Sequence, residues 1–458
     1  MECTKVWLEI ITQEAWLNRL LHFKEINIFS KNSKLRERDS VLQLLAVKFI
    51  TYPIIGFSTL FACKIVRERF SIEEFNCFVL IWGSIGLIGI IEYGLGINLT
   101  NHLIIRGSDA SFRKKLKITT IVLILPLLIS LSIGITISST DIIKSYSLLI
   151  SNVDIQIHEL AIYVSLSVIC ITFYNLVTRI SNGLSRFNQP NTTLALGNIL
   201  VIVVLLMVES YSLSLLMYIA ILASAYFFSA IFQIASRNFR AFLNNHSIPD
   251  KNIKFETGLM GKRYSMVVIA ISIFASFINF YPRWKFASSG TSVEVSGYLT
   301  AILVLGIFNS ISSALGPFLW NIGIQRNASR NTGFPMKAYK LAIYINVFLA
   351  IPFLITIVVL MNYYNIQFLD SRVILLGILA YCSYFLQNLH MIPSNYLNGI
   401  GDLTLQLGLL VLQTIALILC LEYLEVKTAN SIYLIQLVVI FFLSFAPSII
   451  ILRRKSNA

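Results

Sequence analysis

The chain has 458 residues, 56% of them hydrophobic and only 13% charged, with a formal net charge of +14. Soluble domains carry about 25% charged residues, so a soluble class is excluded; the apolar residues fall in blocks of the roughly 20 that a bilayer-crossing helix needs. No alternating ten-residue strands occur, which excludes an outer-membrane barrel.

Residues 1–40 form a polar, basic extension carrying Lys5, Arg19, Lys24, Lys31, Lys34, Arg36 and Arg38. It has no small-residue cleavage site after an apolar core, so it is not read as a signal peptide. Trp7, Leu8, Ile11, Trp16, Leu20 and Leu21 either form one face of a surface-lying helix or belong to a dispensable extension. Twelve spans are predicted, near 42–66, 76–98, 118–138, 159–180, 194–210, 213–235, 261–281, 297–320, 338–362, 373–393, 404–423 and 431–451.

Lys and Arg gather in the N-terminal stretch, at 106–117, 236–263 and 326–340, and in the tail at Arg453, Arg454 and Lys455. The alternate connections are poor in positive charge, so both termini are expected in the cytoplasm, which an even number of spans satisfies. This distribution suits topology signals and contacts with anionic membrane lipids, and it argues against nucleic acid as a partner. The six cysteines have no CxxC spacing, so neither disulfides nor a zinc site is expected.

One internal repeat is visible. Residues 75–106 can be laid without gaps on 295–326, so that Gly86 meets Gly306, Leu95-Gly96 meets Leu315-Gly316 and Arg106 meets Arg326. Asn182-Gly183-Leu184 echoes Asn398-Gly399-Ile400 at a similar offset. The predicted organisation is therefore an all-α polytopic membrane protein of two six-helix lobes, 41–235 and 261–451, related by a pseudo-twofold along the membrane normal. A cytoplasmic linker at 236–260 joins them and a basic tail, 452–458, follows.

No GxxxxGK[ST] loop exists; Gly258 to Lys262 is the nearest approach and has the wrong spacing, so ATP is not expected to be bound by this chain. No cofactor, metal or catalytic residue is expected. The predicted external segments are short, which leaves little room for a glycan polymerase site. Glu73 and Glu74, in the first of them, are read as a solvated pair near Arg67 and Arg69.

Ionisable residues inside spans are costly and point by default to function. Lys48, early in span 1, either snorkels to the surface or serves a site. Glu92, about two turns from the end of span 2, should face the bundle interior, where Lys48 is a natural partner; a structural ion pair is the alternative. Arg179 ends span 4 and either anchors it or meets a phosphate group with its guanidinium fork. Arg283 and Lys285 lie just past span 7 as an external anion contact or as interfacial anchors with Tyr281 and Trp284. Gln387, Asn388 and His390 put a polar patch in span 10, suited to sugar hydroxyls, to a proton, or to bonds between helices.

Span 2 carries a more specific likeness. Glu74-Phe75, Phe78, Gly83, Gly86 and the run Glu92-Tyr93-Gly94-Leu95-Gly96 resemble the Wzx-type polysaccharide (O-antigen) flippases of the multidrug/oligosaccharidyl-lipid/polysaccharide exporter superfamily. Asn182-Gly183-Leu184-Ser185-Arg186 and Leu397-Asn398-Gly399-Ile400-Gly401 resemble turns of the same family. The resemblance covers about residues 40–450; the forty-residue prefix departs from it.

It implies a non-enzymatic flippase of the bacterial cytoplasmic (inner) membrane with a cationic cavity between its lobes. The cargo would be a polyprenyl-diphosphate-linked oligosaccharide, flipped to the outer leaflet by an ion gradient, with a polysaccharide polymerase and a chain-length regulator as partners. Lys48 or Arg179 would meet the diphosphate, with Arg283, Gln387 and His390 as further substrate contacts, and Glu92 would gate the lobes or carry a coupling proton. A drug or metabolite antiporter on the same fold, a membrane-bound glycan polymerase and a scaffold in a glycan assembly complex are the rival readings.

Overall fold

The computed structural model describes residues 33–88, 93–106, 116, 157–236 and 262–447, with short breaks at 185, 210, 212, 313–315, 317–318, 321, 325–335, 364–369, 401–402 and 425. Among them there is no strand. The helices are α1 (Ser33–Arg69), α2 (Ile72–Ile88), α3 (Tyr93–Arg106), α4 (Ile157–Gly183), α5 (Asn188–Val208) and α6 (Leu215–Ala235). They are followed by α7 (Lys262–Ser289), α8 (Ser292–Ser312), α9 (Met336–Tyr363), α10 (Asp370–Ile400), α11 (Thr404–Tyr423) and α12 (Ala429–Ile440), which runs into a π-helical turn at Phe441–Phe445.

Nine helices among the described residues are long and apolar enough to cross a membrane, and Ala429–Phe445 is a shorter apolar one. The all-α, multi-pass architecture expected from composition is the one observed. Predicted span 2 corresponds to α2 and α3 around the undescribed positions 89–92, and predicted span 3 lies outside the described residues, as does the Trp7–Leu21 face. Helix α1 begins at Ser33, ahead of the boundary expected at residue 40, although its apolar stretch starts at Ala46.

Exposure confirms the solvent. Along α9, Tyr344, Val347, Phe348, Ile351, Ile355 and Val359 are all exposed, one stripe at helical spacing. In water such a stripe would be an aggregation hazard; against acyl chains it is the expected outer surface.

The repeat reaches the backbone. The turn between α1 and α2 is closed by Phe70 N–H to the Val66 carbonyl and Phe75 N–H to the Ser71 carbonyl. The turn between α7 and α8 is closed by Gly290 N–H to Phe286 and Val295 N–H to Thr291, each position displaced by 220 from its counterpart (66 to 286, 70 to 290, 71 to 291, 75 to 295). Packing follows the same scheme. Helix α6 lies on α4 and α5 as α12 lies on α10 and α11, and α1 lies on α5 as α7 lies on α11. The two sets meet where α8 packs on α1 and α2, and where α7 packs on α2 and α3.

Side chains tie this meeting surface. Asn76 donates to the Ser292 carbonyl at 3.0 Å and Ser292 Oγ donates to Glu73 at 2.8 Å. Glu74 accepts from the Ser71 backbone N–H at 2.8 Å while Ser71 Oγ accepts from the Glu74 N–H at 3.2 Å. The acidic pair read as solvated therefore has structural partners: Glu74 completes a capping box that starts α2, and Glu73 bridges to α8.

Helix α5 approaches α6 closely at Gly197, where an added Cβ would stand 2.3 Å from the Ala225 carbonyl oxygen. Small residues permit such close crossings in membranes, where association rests on van der Waals contact.

Candidate functional site

A cavity of about 500 Å³ opens between the two helix sets, lined by α1, α3, α4, α7, α8, α10, α11 and α12. Its lining includes Lys48, Arg179, Arg283, Gln387 and His390. Five of the six residues to which the resemblance gives a transport role are thus brought to one space. The sixth, Glu92, lies outside the described residues. No aspartate or glutamate occurs in this lining, among the described residues.

Each cation reaches the cavity by a different route. Lys48 is 7% exposed, one face of α1 burying it beside Tyr52, with Nζ 5.1 Å from the ring centroid. It is a buried cation rather than one that has snorkelled to solvent. The Tyr52 hydroxyl donates to Asn191 Oδ1 at 3.4 Å, and Asn191 Nδ2 donates to the Phe187 carbonyl at 2.9 Å. Arg179 lies in the last turn but one of α4, where Thr100 Oγ1 of α3 donates to its backbone carbonyl at 3.0 Å.

Arg283 departs from expectation. Helix α7 does not stop near residue 281 but continues through Pro282 to Ser289, so Arg283 lies within the helix and not beyond it. Neighbouring membrane helices make such a proline tolerable. Two residues along a helix point nearly opposite ways at 3.6 residues per turn, and the expected Arg283–Lys285 pair is split accordingly. Lys285 turns to Glu422 of α11 at 2.7 Å, where the Tyr281 hydroxyl also donates to Glu422. Arg283 turns into the cavity, in electrostatic reach of Tyr298, Tyr384 and Tyr433.

The guanidinium crosses to the other helix set. A Cβ built on Gly83 of α2 would stand 2.7 Å from Arg283 Nη1. The obstacle is the far end of a flexible side chain, so Gly83→Ala is expected to keep its fold and push Arg283 aside. The expected result is an unchanged unfolding temperature with transport reduced about threefold to tenfold, the range of an ordinary hydrogen bond and so only part of what Arg283 contributes; flux and melting measured on one preparation check it.

Apart from Arg283, the polar groups on the wall formed by α7 and α10 are amides, hydroxyls and one imidazole. Gln387 Nε2 donates to Asn279 Oδ1 at 3.4 Å. Asn388 donates to Asn346 of α9 at 3.2 Å, while the Asn346 carbonyl accepts from the Tyr381 hydroxyl. His390 is buried, its Nε2 3.4 Å from Ser394 Oγ. Beyond it, Ser444 in the π-helical turn donates to Gln413 at 2.5 Å.

Sequence reading missed Asn279, the three tyrosines and Trp320, which donates to Asn101 Oδ1 at 3.1 Å across the two sets. A signal for the first existed. Ser272, Ser276, Asn279 and Arg283 recur at helical spacing in an otherwise apolar helix, and all four line the cavity.

A second, smaller cavity of about 190 Å³ lies among α1, α4 and α5. It shares Lys48, Arg179 and Asn182 with the first.

No protein-family model matches the chain, and no curated protein sequence matches it. Solved structures do. One is a MATE protein in complex with MaL6, at 15% identity and TM-score 0.60, covering 92% of this chain and 98% of the other. Another is an outward-facing multidrug resistance MATE family transporter of the MOP superfamily, at 15% identity and TM-score 0.57, covering 92% and 97%. A third is a MOP superfamily transporter from Pyrococcus furiosus, at 15% identity and TM-score 0.59, covering 92% and 97%, for which reverse polarity of the binding pocket is said to suggest a different function. At these identities the likeness shows a shared fold across almost the whole chain.

Proposed function

We propose that the chain is a flippase that carries a polyprenyl-diphosphate-linked oligosaccharide from the cytoplasmic to the outer leaflet of a bacterial inner membrane. The observation that carries this reading is the cavity lining, which has three cations, a wall of amides and hydroxyls, and no carboxylate among the described residues. A diphosphate needs cationic donors, and guanidinium forks match its oxygens. Sugars need hydroxyl partners such as Gln387, Asn279 and His390, and the prenyl tail can stay in lipid throughout.

Lys48 and Arg179 meet the diphosphate in this account, and Arg283 holds a second anionic or strongly polar group of the cargo. The helix sets 41–235 and 261–451 act as two lobes that rock about the cavity, driven by an ion gradient, with Glu92 as gate or proton carrier. A polysaccharide polymerase and a chain-length regulator would take the product.

An antiporter for drugs or metabolites is the second reading, favoured by the multidrug transporters among the structural neighbours. A cationic drug, however, would meet three like charges without a carboxylate from the described lining.

Reconstituted vesicles separate the two. The protein is expected to speed transbilayer movement of a fluorescent prenyl-diphosphate-linked saccharide under an imposed ion gradient, and to leave a cationic dye unmoved. Export of the dye with no movement of the saccharide would overturn the proposal in favour of the antiporter.

A further inference from the structure

We propose that Gly306 of α8 is a specificity-determining residue, a gap in the cavity wall that sets how bulky a saccharide can pass. Tyr298, Ile302, Leu305, Gly306 and Asn309 fall on one face of α8 at helical spacing, and all five line the large cavity. A Cβ built on Gly306 meets no atom within 4 Å, and the residue is exposed. Open space stands where a side chain would be, and that space is cavity.

No packing neighbour calls for glycine at this point. Gly56, Gly83, Gly183, Gly197 and Gly316 each have a neighbour's atom closer than 3.0 Å to the place a Cβ would take. Gly306 has none, although glycine inside a helix is less stable than alanine. The wall beside it is fixed. The next residue, Ile307, enters a notch at Gly56 of α1, where a Cβ would stand 2.8 Å from Ile307 Cδ1. With α8 pressed against α1 in this way, a side chain added at 306 projects into the cavity.

The gap lies beside the groups assigned to the sugars. Helices α7 and α8 run in opposite directions from the turn at 289–292, so positions equally far from it lie at about the same depth. Gly306 and Ala275 are both 14 residues away (292 to 306 and 275 to 289). Asn279, bonded to Gln387, is four residues, about one helical turn, nearer the connection. At about 500 Å³ the cavity stands in the lower half of the roughly 300–1,000 Å³ range of ligand pockets. A side chain at 306 therefore takes room that the cargo needs. This inference rests on the flippase reading for the nature of the cargo, and adds to it the residue that limits cargo size.

The test compares two cargoes in reconstituted vesicles under one ion gradient. One is a fluorescent prenyl-diphosphate-linked monosaccharide, the other the same carrier bearing a branched tetrasaccharide. The readout is the ratio of initial rates, tetrasaccharide over monosaccharide. Gly306→Phe is expected to lower this ratio about tenfold or more, the order of discrimination that small changes of pocket shape produce, and Gly306→Leu to lower it less. Gly408→Phe is the control. Gly408 of α11 also has open space at its Cβ, but it lies on the outer stripe with Leu412, Ile415 and Leu419 and not in the cavity lining. Its ratio is expected to stay at the wild-type value.

If Gly306→Phe passes neither cargo, the ratio is read from Gly306→Leu. An unchanged ratio in the Gly306 variants, or an equal fall with Gly408→Phe, would overturn the proposal and leave the flippase reading standing. A wild type that moves neither saccharide would overturn both.

Discussion

Replacing Arg283 with glutamine is expected to cut saccharide transport by roughly 10- to 150-fold while the protein stays folded and in the membrane. Arg283 reaches from α7 across the cavity to Gly83 of α2 and shares the lining with Tyr298, Tyr384 and Tyr433. A hydrogen bond to a charged group contributes about 1.5–3 kcal/mol, which is the range of rates given. Arg283→Lys is expected to restore only part of the loss, because an ammonium keeps the charge but not the planar fork. Initial rates in vesicles, normalised to inserted protein, provide the check. Equal rates for the wild type and Arg283→Gln would remove Arg283 from the account.

The largest effect on stability is expected at Gly197. An alanine there already brings Cβ to 2.3 Å from the Ala225 carbonyl oxygen, and the obstacle is backbone, which cannot swing away as the Arg283 head can. Overpacking usually costs about 1–3 kcal/mol and sometimes more; a contact this short against backbone belongs at the upper end. Gly197→Leu should therefore force α5 and α6 apart. The expected outcome is a large fall in unfolding temperature in detergent, with Gly197→Ala intermediate. An unchanged melting temperature for Gly197→Leu would show that the helices are not held at this distance.

Gly83 and Gly197 make a useful contrast. Both are glycines in apolar helices, and composition treats them alike. One yields to a side chain and is expected to affect transport; the other abuts backbone and is expected to affect folding.

The architecture was legible because the bilayer imposes it. Spans must be apolar over their full length, so twelve blocks stand out, and the polar exceptions within them stand out as well. Lys48, Arg179, Gln387 and His390 were visible for that reason, and all four border the cavity. The repeat was legible in the aligned glycines Gly86 and Gly306, although Gly306 borders open cavity space and no helix crossing, and the matched turns at 66–75 and 286–295 show how far it extends.

The rest depended on contacts between residues far apart in the chain. Nothing in span 2 announces that Gly83 will meet Arg283, or that Ser292 will bind Glu73 and Asn76. The end of α7 was misplaced because Pro282, Arg283 and Lys285 interrupt hydropathy, whereas the helix carries on with one cation turned inward and the other toward Glu422. Tyr298, Tyr384 and Tyr433 were hidden among 20 tyrosines, since an aromatic residue in a span looks the same facing lipid, core or cavity. The smaller cavity among α1, α4 and α5 was beyond reach for the same reason: three helices build it, and no one segment carries its pattern.

The central claim is tested most directly in the native host, by deleting the gene and measuring which leaflet holds the lipid-linked oligosaccharide, with surface glycan measured in parallel. The account predicts intermediates of normal sugar length trapped on the cytoplasmic side and surface polymer lost. Single repeat units that reach the outer leaflet but fail to polymerise would contradict it, and the roles given to Lys48, Arg179 and Arg283 in transport would fall with it.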